Sequence, residues 1–210
     1  MSASLRITLA LVMLSIAALT AALWLGPTQL ANPFASDDIT RTIVWDIRLP
    51  RALTAWLAGA ALGLTGAALQ GLLRNPLADS GVLGLSGFAA LGAVIAFAFG
   101  FATFAPAMSV AFALVAALLI TTLGWASRGL ASLVLIGVGL SSFAGGLIAL
   151  ALNLAPNPGA LADLVNWTLG SVEGRSLEHV ALAATLLGTG AVLIFAAARG
   201  LQALTLGEEA

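Results

Sequence analysis

The sequence predicts an all-α membrane protein, a bundle of about six transmembrane helices. Of its 210 residues, 60% are hydrophobic and only 8% are charged, and the mean hydropathy is +1.08. Soluble domains are roughly half apolar and one quarter charged, and a domain of this size in water needs a polar surface that this composition cannot supply. The apolar runs lack the period-two alternation of a membrane barrel. Helices therefore remain as the spanning structure that satisfies the backbone polar groups.

The positions of the spans follow from length. A bilayer core of about 30 Å requires roughly 20 apolar residues in a helix that rises about 1.5 Å per residue. The first apolar run, from Ile7 to Leu25, exceeds the roughly 7 to 15 residues of a signal peptide, which favours an uncleaved helix. We interpret residues 1–210 as one transmembrane domain. Its six predicted spans are residues 5–25, 52–72, 81–100, 106–124, 132–154 and 180–198.

Two longer links lie on one side of the predicted bundle, at residues 26–51 and 155–179. The second link contains an amphipathic stretch, LADLVNWTLG, which predicts a short interfacial helix with Trp167 at the membrane surface. On the other side, the link from Arg74 to Asp79 is about as short as a helix reversal allows. Pro76 disfavours helical geometry at the preceding residue, so this proline predicts a turn there.

Charge does not orient the bundle, because the eight arginines divide equally between its two sides. The composition does exclude several kinds of site. Cysteine and lysine are absent, which removes thiolate metal sites, iron–sulfur clusters and a Walker A lysine. One histidine and three methionines indicate no haem or metal site. A net charge of −1 without a basic patch indicates no nucleic-acid partner. We expect no resident cofactor, and any ATPase must be a separate polypeptide.

Every charged residue lies between the predicted spans or at their ends. A charge at the bilayer centre costs about 2.5 to 3.5 kcal/mol and commonly marks a proton relay or an ion site. The polar groups inside the spans are uncharged, and they either form interhelical hydrogen bonds or line a solvated path. Glycines at small-xxx-small spacing predict that the second and fifth spans are interior helices. The candidates for path lining or helix packing are Gly59, Gly63, Gly66, Gln70, Ser141 and Ser142.

Five motifs occur in a characteristic order. They are RLPR at 48–51, GAALGLTGAALQGLLRNPLADSGVLGLSG at 59–87, LVLIGVGLS at 133–141, WTLGSVEG at 167–174 and LQALTLGEEA at 201–210. Together they resemble the FecCD/BtuC-type permeases of ABC importers for iron-siderophore, haem and vitamin B12. The resemblance covers roughly residues 41–210, and five motifs in order are far more specific than any one of them.

The resemblance implies an inner-membrane protein whose N-terminus is cytoplasmic and whose links 26–51 and 155–179 are periplasmic. It implies a homodimer or pseudo-dimer of permeases, with ABC ATPase subunits beneath it and a periplasmic substrate-binding protein above it. The cargo would be an iron chelate, haem or a cobalamin-like ligand, and the permease itself would catalyse no reaction. The turn at Asn75, Pro76 and Leu77 would be cytoplasmic and lie near the path.

The resemblance also assigns residues to the two partners. Arg48 and Arg51 match the arginines that meet glutamates on the binding protein, and guanidinium groups do pair bidentately with carboxylates. The alternative is that both arginines only anchor a helix end at the lipid headgroups. Residues 199–210 match the start of the segment that couples the permease to the ATPase. Its predicted contact residues are Leu204, Leu206, Gly207 and Glu208.

Members of this family usually carry about ten transmembrane helices, whereas six are predicted here. We therefore expect the chain to be the N-terminal part of such a permease, truncated within the coupling segment. Two other functions are open alternatives. One is a secondary transporter or channel. The other is a rhomboid-like intramembrane serine protease, in which Ser86 of a GxSG sequence would be the nucleophile and His179 the base.

Overall fold

The computed structural model describes residues 3–26, 37–79, 81, 83–126, 130–154 and 158–206. All the elements in these ranges are helical. They are α1 (Ala3–Trp24), α2 (Asp38–Thr42), a π-helical turn (Ile43–Arg48), α3 (Leu49–Leu73), α4 (Leu85–Ala98), a 3-10 turn (Ala102–Phe104), α5 (Ala105–Ala126), α6 (Leu130–Asn153), α7 (Pro158–Leu169) and α8 (Leu177–Leu206).

Five helical segments in the described part of the chain are long and apolar enough to cross a bilayer. They are Ser4–Trp24, Asp38–Leu73, Ala102–Gly124, Ala131–Asn153 and Leu177–Ala198. This confirms the prediction of an all-α membrane protein. The chain divides into two compact units, which are Met1–Gly63 with Val172–Ala196, and Leu64–Ser171 with Ala197–Ala210.

The predicted third span, 81–100, is wrong in length. Its helix, α4, has 14 residues and is therefore about 21 Å long, shorter than the roughly 30 Å of a bilayer core. Gly84 before the helix and Gly100 after it have φ angles of +75° and +77°, which a right-handed helix does not accommodate. Since apolar residues directly flank both glycines, the apolar run alone does not mark where the helix begins and ends.

Helix α4 is the central helix of the second unit, where it packs against α5, α6 and α7. Six of its 14 side-chain positions are buried: Phe88, Leu91, Gly92, Ala93, Val94 and Ala96. Phe88 and Leu91 form one core cluster with Ala116 of α5 and Ala144 of α6. A helix enclosed by other helices does not have to match the bilayer thickness, which explains how a short helix is accommodated here.

A second cluster attaches α7 to this core. Trp167 of α7 packs on Ala93, Ala96 and Ala105, and its ring centroid lies 5.2 Å from that of Phe97 at an interplanar angle of 55°. The short helix predicted within 155–179 is thus present as α7. Its tryptophan ring is half-buried against α4, and this contact holds the helix to the unit.

In the first unit, the helix that contains the second span begins earlier than predicted. Asp37 caps α2 through a 2.9 Å bond from the Thr40 amide to Oδ2, and the helix continues through the π-helical turn into α3. Residues 38–51 of the predicted link are therefore helical. Their polar side chains lowered the hydropathy of this stretch, but a helix can extend beyond the bilayer and keep such side chains in water.

Helix α8 has 30 residues and a length of about 45 Å. It exceeds the bilayer core and continues to Leu206, well into the predicted coupling segment. Its N-terminal end carries a local side-chain contact, in which Ser176 Oγ lies 2.8 Å from His179 Nδ1.

Candidate functional site

The two predicted docking arginines lie three residues apart but in different surroundings. Arg48 ends the π-helical turn and is buried, with 8% of its surface exposed, whereas Arg51 in α3 is exposed. The Leu49 amide donates to the Val44 carbonyl, five residues back, as a π-helical bond requires. Of the two predicted docking arginines, Arg51 is therefore the one whose side chain is exposed.

The Arg48 side chain reaches the C-terminal end of α1. Its Nη1 donates to the carbonyl oxygens of Leu23 at 2.7 Å and Trp24 at 3.0 Å. The last carbonyls of a helix have no helical donor, and they carry partial negative charge that favours a cation. In addition, the residue four positions after Leu23 is proline, which has no N–H. Arg48 thus donates two hydrogen bonds to the end of α1.

Gly26 lies directly against this guanidinium. A Cβ atom added to Gly26 would be 2.7 Å from Arg48 Nη2 and 2.9 Å from Cζ, closer than real Cβ contacts. The absence of a side chain at this position therefore makes room for the arginine. Sequence analysis missed Gly26, because its role depends on a residue 22 positions away.

The start of the helical stretch that contains Arg48 borders an open cavity of about 710 Å³. Two aspartates, one arginine, a threonine and a tryptophan line it: Asp38, Arg41, Thr42, Trp45 and Asp46. The cavity lining therefore combines negative and positive charges with one indole ring. These five residues lie within the predicted link 26–51, and sequence analysis assigned them no role.

The turn after α3 has the geometry of a Schellman motif. Arg74 adopts a left-handed φ of +51°, its amide donates to Gly71 O at 3.4 Å, and the Asn75 amide donates to Gln70 O at 3.2 Å. The Asn75 side chain then accepts from the Leu77 amide at 2.9 Å. The predicted turn is present, and backbone and side-chain bonds together fix its shape.

The two apolar residues of this turn have opposite exposures. Ala78 is buried, with 4% of its surface exposed, whereas Leu77 is 86% exposed. The turn therefore presents a leucine side chain outward. Asn75 and Pro76 are exposed beside it. An apolar side chain held outward by a fixed turn is suited to contact another protein surface.

The chain between this turn and α4 is attached to α6. Ser141 Oγ donates to the Gly81 carbonyl at 3.2 Å, and Asp79 Oδ1 accepts from the Gly81 amide at 2.6 Å. A Cβ added to Gly84 would be 2.9 Å from the Gly137 carbonyl oxygen. Ser141, one of the two predicted serines, thus bonds across to this segment. The other, Ser142, donates within its own helix to Val138 at 2.9 Å.

The predicted packing glycines have open surroundings. A Cβ added to Gly59, Gly63 or Gly66 would meet no heavy atom within 4 Å among the described residues. Gln70 on the same helix is exposed. The close helix approaches occur elsewhere, at Gly84 and Gly87 against α6 and at Gly92 against α5. Sequence analysis missed these three positions, because each close approach depends on a residue of another helix.

The coupling residues lie at the end of the described chain. Leu204 and Leu206 are part of α8, whereas Gly207 and Glu208 lie outside the described residues. The alternative protease residues occupy ordinary helix starts. Ser86 is exposed in the first turn of α4, and His179 contacts Ser176 at the start of its own helix.

Comparison with known proteins adds a consistent result. The sequence model of the FecCD transport family matches residues 7–210. The ferric enterobactin transport system permease protein FepD of Escherichia coli is 39% identical over 176 residues, which is 80% of this chain and 52% of FepD. The vitamin B12 import system permease protein BtuC of Yersinia enterocolitica is 33% identical over 194 residues, which is 89% of this chain and 55% of BtuC.

A comparison of the fold with solved structures gives a result of the same kind. A solved structure of a metal-chelate type ABC transporter in an inward-facing conformation matches with a TM-score of 0.87 and 27% identity. The match covers 97% of this chain and 66% of that chain. The chain thus spans about half the length of the curated relatives that it matches.

Proposed function

Because the chain belongs to the FecCD transport family, we propose that it is a membrane-spanning permease subunit of an ATP-binding-cassette importer. The observation that carries the proposal is the family match over residues 7–210 on a chain with five helices of membrane-spanning length. The cargo is an iron chelate, haem or a cobalamin-like ligand, since relatives are named for ferric enterobactin and for vitamin B12. A separate ATPase hydrolyses the nucleotide.

The proposed topology places the protein in the inner membrane with its N-terminus in the cytoplasm. The N-terminal end of α3, which carries Arg51, is then periplasmic. The turn at residues 74–79 is cytoplasmic and lies beside the path. Leu77, exposed at this turn, is available to contact another subunit. Two permeases form a homodimer or a pseudo-dimer, and each contacts an ATPase subunit.

The proposed contact with the ATPase uses Leu204, Leu206, Gly207 and Glu208. Support comes from the continuity of α8, which runs without a break from Leu177 to Leu206. A continuous helix transmits a displacement from one end of the membrane to the other, as alternating access by rigid-body movement requires.

The experiment that tests the assembly is co-purification. The chain is expressed with an affinity tag, together with the ATPase and the binding protein of a FecCD-family importer from the same organism, and is purified in detergent. We expect all three proteins to elute together. Transport of ⁵⁵Fe-enterobactin or of radiolabelled cyanocobalamin by the chain without any ATPase would refute the proposal and favour a secondary transporter.

The proposed docking contact predicts the effect of reversing one charge. Arg51→Glu should weaken binding of the periplasmic binding protein by about 2 to 5 kcal/mol, because a paired guanidinium is replaced by a repelling carboxylate. Arg6→Glu is the control, since Arg6 lies on the opposite side in the proposed topology. Biolayer interferometry with permease in nanodiscs measures both affinities. Equal affinities for the two variants would contradict the docking role.

A further inference from the structure

We propose that the link between α4 and α5, residues 99–104, lies at the hydrocarbon edge of the bilayer and that its exposed phenylalanines contact lipid acyl chains. This surface is separate from the predicted docking and coupling residues. Its contact with lipid requires that the chain spans a membrane, and it does not depend on which cargo the chain transports.

The side chains of the link form an exposed aromatic patch. Phe99, Phe101 and Phe104 are 73%, 60% and 62% exposed. An exposed apolar patch on a protein marks a contact with membrane or with another protein. Tryptophan and tyrosine have a polar group and accumulate at the level of the headgroups, whereas phenylalanine has none and favours the hydrocarbon. The residue type therefore favours a position below the headgroups.

The absence of charge distinguishes this link from other links of the chain. No charged residue occurs between Asp79 and Arg128, so α4, the link and α5 contain none. In contrast, the turn after α3 carries Arg74 and Asp79, and the segment before α8 carries Glu173 and Arg175. A protein partner that is recognised through its charges would find no complementary charge here, whereas contact with lipid tails disfavours charged groups. This difference favours lipid over a protein partner.

The backbone of the link meets a second requirement of hydrocarbon. Helix α4 ends in a Schellman motif around Gly100, whose φ is +77°. The Gly100 amide donates to Phe97 O at 3.0 Å, and the Phe101 amide donates to Ala96 O at 2.7 Å. The Phe104 amide then donates to Phe101 O at 2.8 Å. Because hydrocarbon contains no water, backbone polar groups there must bond within the protein. The reversal thus satisfies much of its own backbone.

The length of α5 indicates the depth of the link. Helix α5 begins directly after Phe104, and its 22 residues span about 33 Å, close to the roughly 30 Å of a bilayer core. A helix that just spans the core begins near the core boundary, and a tilt of the helix moves its first residue inward. The link therefore lies at the edge of the hydrocarbon, because α5 has little length that could carry it further into water.

The accessibility of spin labels tests this position. The chain has no cysteine, so single cysteines can be introduced and labelled with a nitroxide in nanodiscs of phosphatidylcholine and phosphatidylglycerol. Oxygen concentrates in hydrocarbon, whereas the nickel complex NiEDDA stays in water. We expect Phe101→Cys and Phe104→Cys to be more accessible to oxygen than to NiEDDA, as should Leu114→Cys at an exposed position within α5. Leu77→Cys, in the exposed turn after α3, is the aqueous control and should show the opposite preference.

Two results of this measurement would overturn the lipid contact. A preference for NiEDDA at both link positions, with both controls as expected, would place the link in water. Low accessibility to both reagents would show that a protein surface covers the patch.

Alkylation by a water-soluble maleimide is an independent measurement on the same variants before labelling. The thiolate is the reactive form of cysteine, and apolar surroundings disfavour it. Phe101→Cys should therefore react at least about tenfold more slowly than Leu77→Cys. Equal rates at the two positions would contradict a position of the link in lipid.

Discussion

At the scale of single residues, the role of a side chain depends on its neighbours more than on its type. Two arginines of one RLPR motif differ in this way, because Arg48 bonds the end of α1 and Arg51 is exposed. Glycines differ similarly. Gly92 has backbone against it, whereas Gly139 has nothing within 4 Å among the described residues. Residue identity alone separates neither pair.

Gly92→Ala tests this difference directly. The added Cβ would overlap the Met108 carbonyl group, with its carbon at 2.8 Å, and this backbone cannot rotate away as a side chain can. We expect a loss of about 1 to 3 kcal/mol in the free energy of unfolding, measured by SDS titration in mixed micelles. Gly139→Ala is the matched control in α6. It should be neutral or stabilising by up to about 1 kcal/mol, since alanine favours helices. Similar losses would contradict the packing at Gly92.

Asp37 provides a prediction on pH. The bond from the Thr40 amide lowers the pKa of the Asp37 carboxyl below its ordinary value of 3.8. A lowered folded pKa means that the cap stabilises α2 above the unfolded pKa and is lost as pH falls through the folded value. Hydrogen-exchange protection of the Thr40 amide should therefore be constant from about pH 7 to 5 and disappear only below about pH 4.

Two substitutions at Asp37 separate the cap from the charge. Asp37→Asn keeps an acceptor oxygen and should retain much of the protection at neutral pH, whereas Asp37→Ala should lose it. Full protection in Asp37→Ala would show that the carboxylate bond does not hold the start of α2.

At the scale of elements, helix boundaries follow from backbone geometry at particular positions. Helix α4 begins after Gly84, whose left-handed φ of +75° interrupts an apolar run. The helix of the second span begins at Asp38 because Asp37 caps it there. The turn after α3 is the one of these boundaries that the sequence predicted, because Pro76 disfavours a helix there. Caps, turns and proline thus define these ends, and hydropathy follows them only loosely.

Gly84→Ala should shift the start of α4 and destabilise the second unit. Gly84 and Gly100 have nearly equal positive φ angles, so alanine carries a similar backbone cost of about 1 to 2 kcal/mol at either position. Only Gly84 also has neighbours in contact, with the Gly137 oxygen at 2.9 Å and the Ser141 nitrogen at 3.1 Å from an added Cβ. The loss of unfolding free energy in Gly84→Ala should exceed that in Gly100→Ala by at least about 1 kcal/mol. Equal losses would leave only the φ effect.

At the scale of the whole molecule, the chain is a set of apolar helices, and the five segments of membrane-spanning length expose much of their surface. It also spans about half the length of its curated relatives. Exposed apolar side chains are expected toward lipid. We propose that function at this scale depends on partners at both ends, the binding protein and the ATPase.

The proposed coupling predicts that a change at the end of α8 separates ATP hydrolysis from transport. Leu206→Asp should leave the ATPase rate of the assembled importer within about twofold of wild type and reduce uptake at least about tenfold, because the contact that transmits movement is lost. Leu193→Asn is the control, because it also places a polar residue at an exposed position of α8 but lies in the middle of the helix, away from the proposed ATPase contact. Parallel loss of hydrolysis and uptake in Leu206→Asp would contradict this role.

The sequence by itself determined the class of the protein and its family resemblance. Hydropathy, span length and the order of motifs are properties of the linear chain, and they predicted the membrane helices, the turn at Pro76 and the short helix that contains Trp167. The tertiary structure decided that α4 is short and enclosed, that Gly84 and Gly92 are packed whereas Gly59 and Gly63 are open, and that Arg48 binds the end of α1 beside Gly26. Each of these depends on residues that are distant in sequence and close in space, and no local pattern encodes such pairs.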